Sequence, residues 1–152
     1  MIMKDVVISV TGIQQGPGGP ETMELVTPGK YGVDRDKAFF TYEETELSGL
    51  KGTTTTFDVS PHMVSLKREG MLNTEMIFEE GKKNYFLYET PFGTLMMGLN
   101  TNSIQCRLNQ HGGYMQIDYN VEVDNAVVGR NRFHVIVKEP KESHIGDIRW
   151  PI

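Results

Sequence analysis

The chain has 152 residues and a formal net charge of −5, from 15 Lys and Arg against 20 Asp and Glu, a length that fits one domain. Only Ala38 and Ala126 represent the best helix former, while Val, Ile and Thr supply 36 residues, which excludes a helical bundle. Lys and Arg cluster only as Lys67-Arg68 and Lys82-Lys83, both close to Glu, which argues against nucleic acid as a partner. The absence of an apolar run of about 18 residues argues against a membrane span.

In chain order, Asp5 to Ile13 alternates as a first strand. Its short apolar core follows an acid and precedes no small-residue cleavage site, so it is not an export signal and a reduced cytoplasm is the expected location. Gln15-Gly16-Pro17-Gly18-Gly19-Pro20 reads as a loop that no strand crosses. Thr22 to Val33 follows, interrupted at Thr27-Pro28-Gly29, where a proline implies an edge or bulge. Lys37 to Glu46 and Thr53 to Ser60 flank a loop at Leu47–Gly52. His62 to Arg68, Met71 to Glu79, Asn84 to Thr90 and Gly93 to Leu108 come in quick succession. Gly98 marks an expected bend in the longest of these. Tyr114 to Asp124 and Val127 to Glu139 complete the series.

Connections this short join antiparallel neighbours. Nine or ten strands in a meander favour closure, which removes the exposed edges. The expected fold is therefore all-β, a closed antiparallel up-and-down barrel of 8–10 strands spanning residues 1–140, followed by a tail at 141–152 that carries Trp150. A two-sheet sandwich is the alternative.

The ordered segments Phe40-Thr41-Tyr42-Glu43-Glu44, Gly49-Leu50-Lys51-Gly52-Thr53-Thr54-Thr55 and Ser65-Leu66-Lys67-Arg68-Glu69-Gly70 carry a family resemblance. So do Met76-Ile77-Phe78-Glu79-Glu80-Gly81, Tyr88-Glu89-Thr90-Pro91-Phe92-Gly93, and Gly112-Gly113 followed by Ile117-Asp118-Tyr119. From Lys4 to Glu139 the chain resembles the YwiB-like family of small uncharacterised bacterial proteins. The resemblance implies a lipocalin-like (calycin-type) β-barrel and brings no catalytic residues. The Gly- and Pro-rich Gln14–Pro20 loop and the terminal Trp-Pro-Ile depart from the family pattern.

A search for chemistry yields no catalytic motif, no cofactor loop and no metal-ligand spacing among His62, His111, His134 and His144. The protein is expected to be non-enzymatic, with no cofactor and no metal. Cys106, at strand spacing between Ile104 and Leu108, reads as a small buried hydrophobe. Met63, Met71, Met76, Met96, Met97 and Met115 lie in the strand segments, where several should line the interior and fill gaps.

Strand alternation places Glu44 with Phe40 and Tyr42, Arg68 with Val64 and Leu66, and Tyr88 with Phe86. If these faces point inward, Tyr42, Glu44, Arg68 and Tyr88 would hold a small, partly apolar ligand inside the barrel, with Arg68 on an acidic group. Alternatively, Glu44 and Arg68 pair with each other and only orient the strands. A second function class is an interaction module with a filled barrel, using a surface patch or the Trp150 tail as its contact; a homodimer is compatible with either.

Overall fold

A computed structural model describes residues 2–16, 18–71 and 73–140. The tail from residue 141, with Trp150, lies outside the described residues. Ten strands follow one another: β1 (Lys4–Gly16), β2 (Gly19–Asp34), β3 (Lys37–Glu43), β4 (Thr53–Val59), β5 (Met63–Gly70), β6 (Thr74–Glu79), β7 (Lys83–Thr90), β8 (Gly93–Asn109), β9 (Gly112–Val123) and β10 (Ala126–Lys138). A 3₁₀ turn, Glu46–Ser48, interrupts the β3–β4 connection.

All ten strands form one antiparallel sheet in the order β6-β5-β4-β3-β2-β1-β10-β9-β8-β7. The first and last strands pair from Val7↔Lys138 to Gln15↔Arg130, and the sheet curls into a nearly closed barrel. Its seam lies between the consecutive strands β6 and β7, which side chains bridge. Thr74 Oγ1 donates to the Leu87 carbonyl at 3.2 Å, and Asn84 Nδ2 donates to the Ile77 carbonyl at 3.2 Å. Those bonds satisfy edge groups that a barrel without a full ladder would leave bare.

Alternate residues point inward, and the register stacks them into rungs. Across β3 to β6 the rungs are Ala38–Val59–Val64–Phe78, then Phe40–Phe57–Leu66–Met76, then Tyr42–Thr55–Arg68–Thr74. The interior therefore passes from apolar to polar along the barrel axis. Its middle is filled: Phe40 stacks on Phe57 at 4.7 Å, Phe57 meets Phe133 edge-on at 6.3 Å, and Tyr119 packs against both Phe78 and Phe133. Such aromatic contacts add to the gain from burying their area.

Three local expectations need correction. The β1–β2 ladder runs on to Gly16↔Gly19, so strand pairing extends into the stretch read from sequence as loop. β2 passes unbroken through Pro28, which pairs opposite Val7; the β2–β3 ladder ends at Lys30, so proline sits beside an unpaired stretch. Gly29 is required there because a Cβ would lie 2.6 Å from the Thr41 carbonyl oxygen and 2.4 Å from Ile8 Cδ1. The irregularity in β8 falls between Thr101 and Ser103, and Gly98 is instead a point of close approach to Glu122 and Tyr85. Finally, Met76, Met97 and Met115 face the core, whereas Met63, Met71 and Met96 are exposed and Met71 precedes its strand. The expectation that several of these methionines line the interior is met by the first three.

Candidate functional site

At the polar end, the structure brings together three of the four side chains selected from alternation. Tyr42 and Glu44 are buried at the end of β3 and beyond it. Thr55 Oγ1 donates to Glu44 Oε2 at 2.5 Å. Arg68 Nε lies 3.9 Å from the same carboxylate, an ion pair without a hydrogen bond. Burial, reinforced by the neighbouring Glu44 charge, pushes the Tyr42 phenol well above its ordinary range, while Arg68 opposes the shift. Tyr119, across the interior, is raised to about 12 by burial despite Arg68 and a bond to Asn131. Both phenols are therefore neutral donors at physiological pH. Tyr88 does not join them: β7 and β8 overshoot their neighbours, leaving it 44% exposed on the hairpin. Alternation gives the face of this residue and not its depth along the barrel.

Arg68 Nε and the hydroxyls of Thr53 and Thr101 are buried without a hydrogen-bond partner among the described residues. The Glu44 carboxylate has Thr55, Tyr42 and Arg68 around it. Beside Tyr119, hollows of about 280 and 250 Å³ adjoin Asn131, whose Oδ1 is also buried without a hydrogen-bond partner among the described residues.

At the opposite end the barrel opens. A mouth of about 690 Å³ is walled by Val33, Ala38, Val59, Ile104 and Leu108, with Cys106 on its lip. Val33, Ile104 and Leu108 pack against the core while remaining partly accessible. Beneath them Tyr31, fully buried, reaches across from β2 and donates to the Asn109 carbonyl at 2.6 Å. Its phenol is pushed up to about 12, by burial first and then by Cys106. The rim carries Arg35, Lys37 and Arg107 against one acid, Asp36. None of the four forms an ion pair among the described residues. Cys106 is exposed and not a core residue, because β8 carries its inward face past the end of the packed interior. Desolvation still raises its thiol pKa, which disfavours the reactive thiolate.

A family model described as "Domain of unknown function (DUF1934)" matches residues 8–135. The chain belongs to this family. The chain is also similar to the "Uncharacterized beta-barrel protein YwiB" of Bacillus subtilis (strain 168), 29% identical over 119 residues, covering 78% of this chain and 82% of that protein. The crystal structure of that Bacillus subtilis protein superposes with a TM-score of 0.80 at 24% identity, covering 91% of this chain and 93% of the other. This likeness shows the shared barrel and no activity.

For this DUF1934 chain the mouth residues were the ones missed from sequence. They come from the β2–β3 turn, the end of β4 and the far end of β8, positions 33 to 109. No fixed spacing connects them. One available signal was the cluster Asp34-Arg35-Asp36-Lys37 at a turn flanked by the small apolar Val33 and Ala38, which places charge directly on an apolar rung.

Proposed function

We propose that the protein is a non-catalytic binder of a small, partly apolar, acidic molecule, held in the mouth rather than in the filled lumen. One observation carries this reading: a hollow of about 690 Å³, apolar on its Val33, Ala38, Val59, Ile104 and Leu108 side and polar around the rest, lies beneath three cations that form no ion pair among the described residues. The volume is within the range of small-molecule sites, roughly 300–1,000 Å³. The apolar walls favour the body of a ligand through area removed from water. Arg35 or Arg107 offers a carboxylate or sulfonate a forked pair of donors. In a chain of net charge −5, a locally positive rim also steers an anion toward this end.

The test uses two fluorescent probes, anionic 1-anilinonaphthalene-8-sulfonate and neutral N-phenyl-1-naphthylamine, with native mass spectrometry of the purified protein for a retained ligand. The anionic probe should bind more tightly, and Lys37→Ala with Arg107→Ala should weaken it about ten-fold while sparing the neutral probe. Cys106→Trp should fill the mouth and block both. Equal affinities would remove the acidic preference, and probe binding that survives Cys106→Trp would remove the mouth.

A further inference from the structure

The outer face of β7 to β10 breaks the rule that alternation turns polar side chains to water. Tyr85, Gly98, Glu122 and Val127 form one cross-strand row, and Leu87 and Met96 pair in the next. Tyr85 is 62% exposed, Leu87 56%, Met96 63% and Val127 51%. Glu122, by contrast, is buried on this outer surface. It accepts a bond from Lys83 Nζ at 2.8 Å and another from Asn100 Nδ2. Gly98, lacking a side chain, leaves the notch into which that carboxylate sinks, next to Tyr85.

Two hollows flank the ridge made by Tyr85 and Met96. One, of about 360 Å³, also includes Leu87, Glu75 and Glu89. The other, of about 270 Å³, includes Gly98, Glu122 and Asp124. The cations beside the ridge are already engaged, Lys83 with Glu122 and Lys82 with Glu79 at 3.4 Å, while Arg130 stands two strands away from Met96 on β10. Glu75, Glu89 and Asp124 form no ion pair among the described residues. The ridge is therefore apolar and the surplus charge around it is negative.

We infer that this face docks an extended polypeptide segment in which Lys or Arg residues flank apolar side chains. The apolar groups would enter the two hollows beside Tyr85 and Met96, and the cations would meet Glu75, Glu89 and Asp124. A contiguous apolar patch with a polar rim is the usual mark of a protein contact, and the thioether of Met96 adapts to varied shapes. The negative surplus disfavours nucleic acid and anionic lipid surfaces. It also disfavours a second copy placed across a two-fold axis on the same patch, which would set like charges opposite one another. The inference is independent of the mouth.

The experiment is fluorescence anisotropy of the full chain with a labelled heptapeptide whose Leu or Phe residues are flanked by Lys, beside its counterpart carrying Glu in place of Lys. The lysine peptide should bind, less tightly as salt rises. Glu75→Lys with Glu89→Lys should weaken it about ten-fold or more and admit the glutamate peptide. Tyr85→Ser with Met96→Ser should weaken it at least as much, with an unchanged circular dichroism spectrum as the check on folding. Four outcomes overturn the inference: no binding of the lysine peptide, equal binding of the two peptides, indifference to charge reversal, or wild-type self-association in sedimentation that the Tyr85→Ser, Met96→Ser variant abolishes. The last would assign the face to a second copy.

Discussion

At the Glu44 end, the rung Tyr42–Thr55–Arg68–Thr74 makes the interior polar, and the Glu44 carboxylate there is answered by Thr55 and faced by Arg68. At the Lys37 end, the rung Ala38–Val59 stops at the barrel rim, and the cations beside it have no partner in the described chain. The same alternation built both ends. They differ in what surrounds each charge: Glu44 and Arg68 are 3% and 18% exposed as side chains and must be compensated internally, whereas Arg35, Lys37 and Arg107 stand where water or a solute can reach them. Charges that answer each other hold a structure; those left unanswered at the edge of a partly apolar hollow are available for recognition.

The sharpest way to break this contrast is Glu44→Ala. It strands the Arg68 guanidinium and the Thr55 and Tyr42 hydroxyls, and it should cost about 3 kcal/mol in urea unfolding. The apolar pair Glu44→Met with Arg68→Met should recover most of that loss. A single variant within about 0.5 kcal/mol of the parent would show that the polar end is as open as the mouth. Alkaline titration distinguishes the ends less strongly. Tyr31 near the mouth and Tyr119 near the polar end both titrate near 12 when folded, against 10.0 ordinarily. The unfolded chain therefore releases these protons first. Stability should hold below pH 10 and fall between 10 and about 12 as the pH rises through that window. Tyr119→Phe should remove part of that slope; an unchanged slope would remove Tyr119 as a contributor. The smallest effect on stability belongs to Cys106. Alkylation by N-ethylmaleimide should proceed slowly near neutrality, quicken as pH rises, and leave the melting temperature within about 1 °C. It should nevertheless block the anionic probe. Full probe binding after complete modification, read by mass, would separate Cys106 from the mouth.

Much of the architecture was legible because a period of two, punctuated by short turns, admits few alternatives. The ten strands, their antiparallel meander and the inward placement of Phe40, Tyr42, Val64, Leu66 and Phe86 all follow from it. Periodicity reports a face and is silent about depth along the axis. That is why Tyr42, Glu44 and Arg68 fell where alternation put them, while Tyr88 and Cys106 share inward faces yet stand beyond the packed interior. The mouth needed the relative stagger of β2, β4 and β8, which depends on the pairing of distant strands. The outer ridge was closer to the surface of the text. Tyr85-Phe86-Leu87-Tyr88 and Leu95-Met96-Met97 are apolar on both alternating faces, and a strand with two apolar faces on a one-sided barrel leaves one of them to meet something else.

Because Val7 pairs with Lys138 and Gln15 with Arg130, one margin of β1 stays bare on the ribosome until residues 126–138 have been synthesised. Joining segments so far apart in sequence is entropically expensive and slow, so the nascent chain carries an exposed sticky border through most of its translation. Crowded or rapid synthesis should therefore favour inclusion bodies more than the finished protein's stability would suggest.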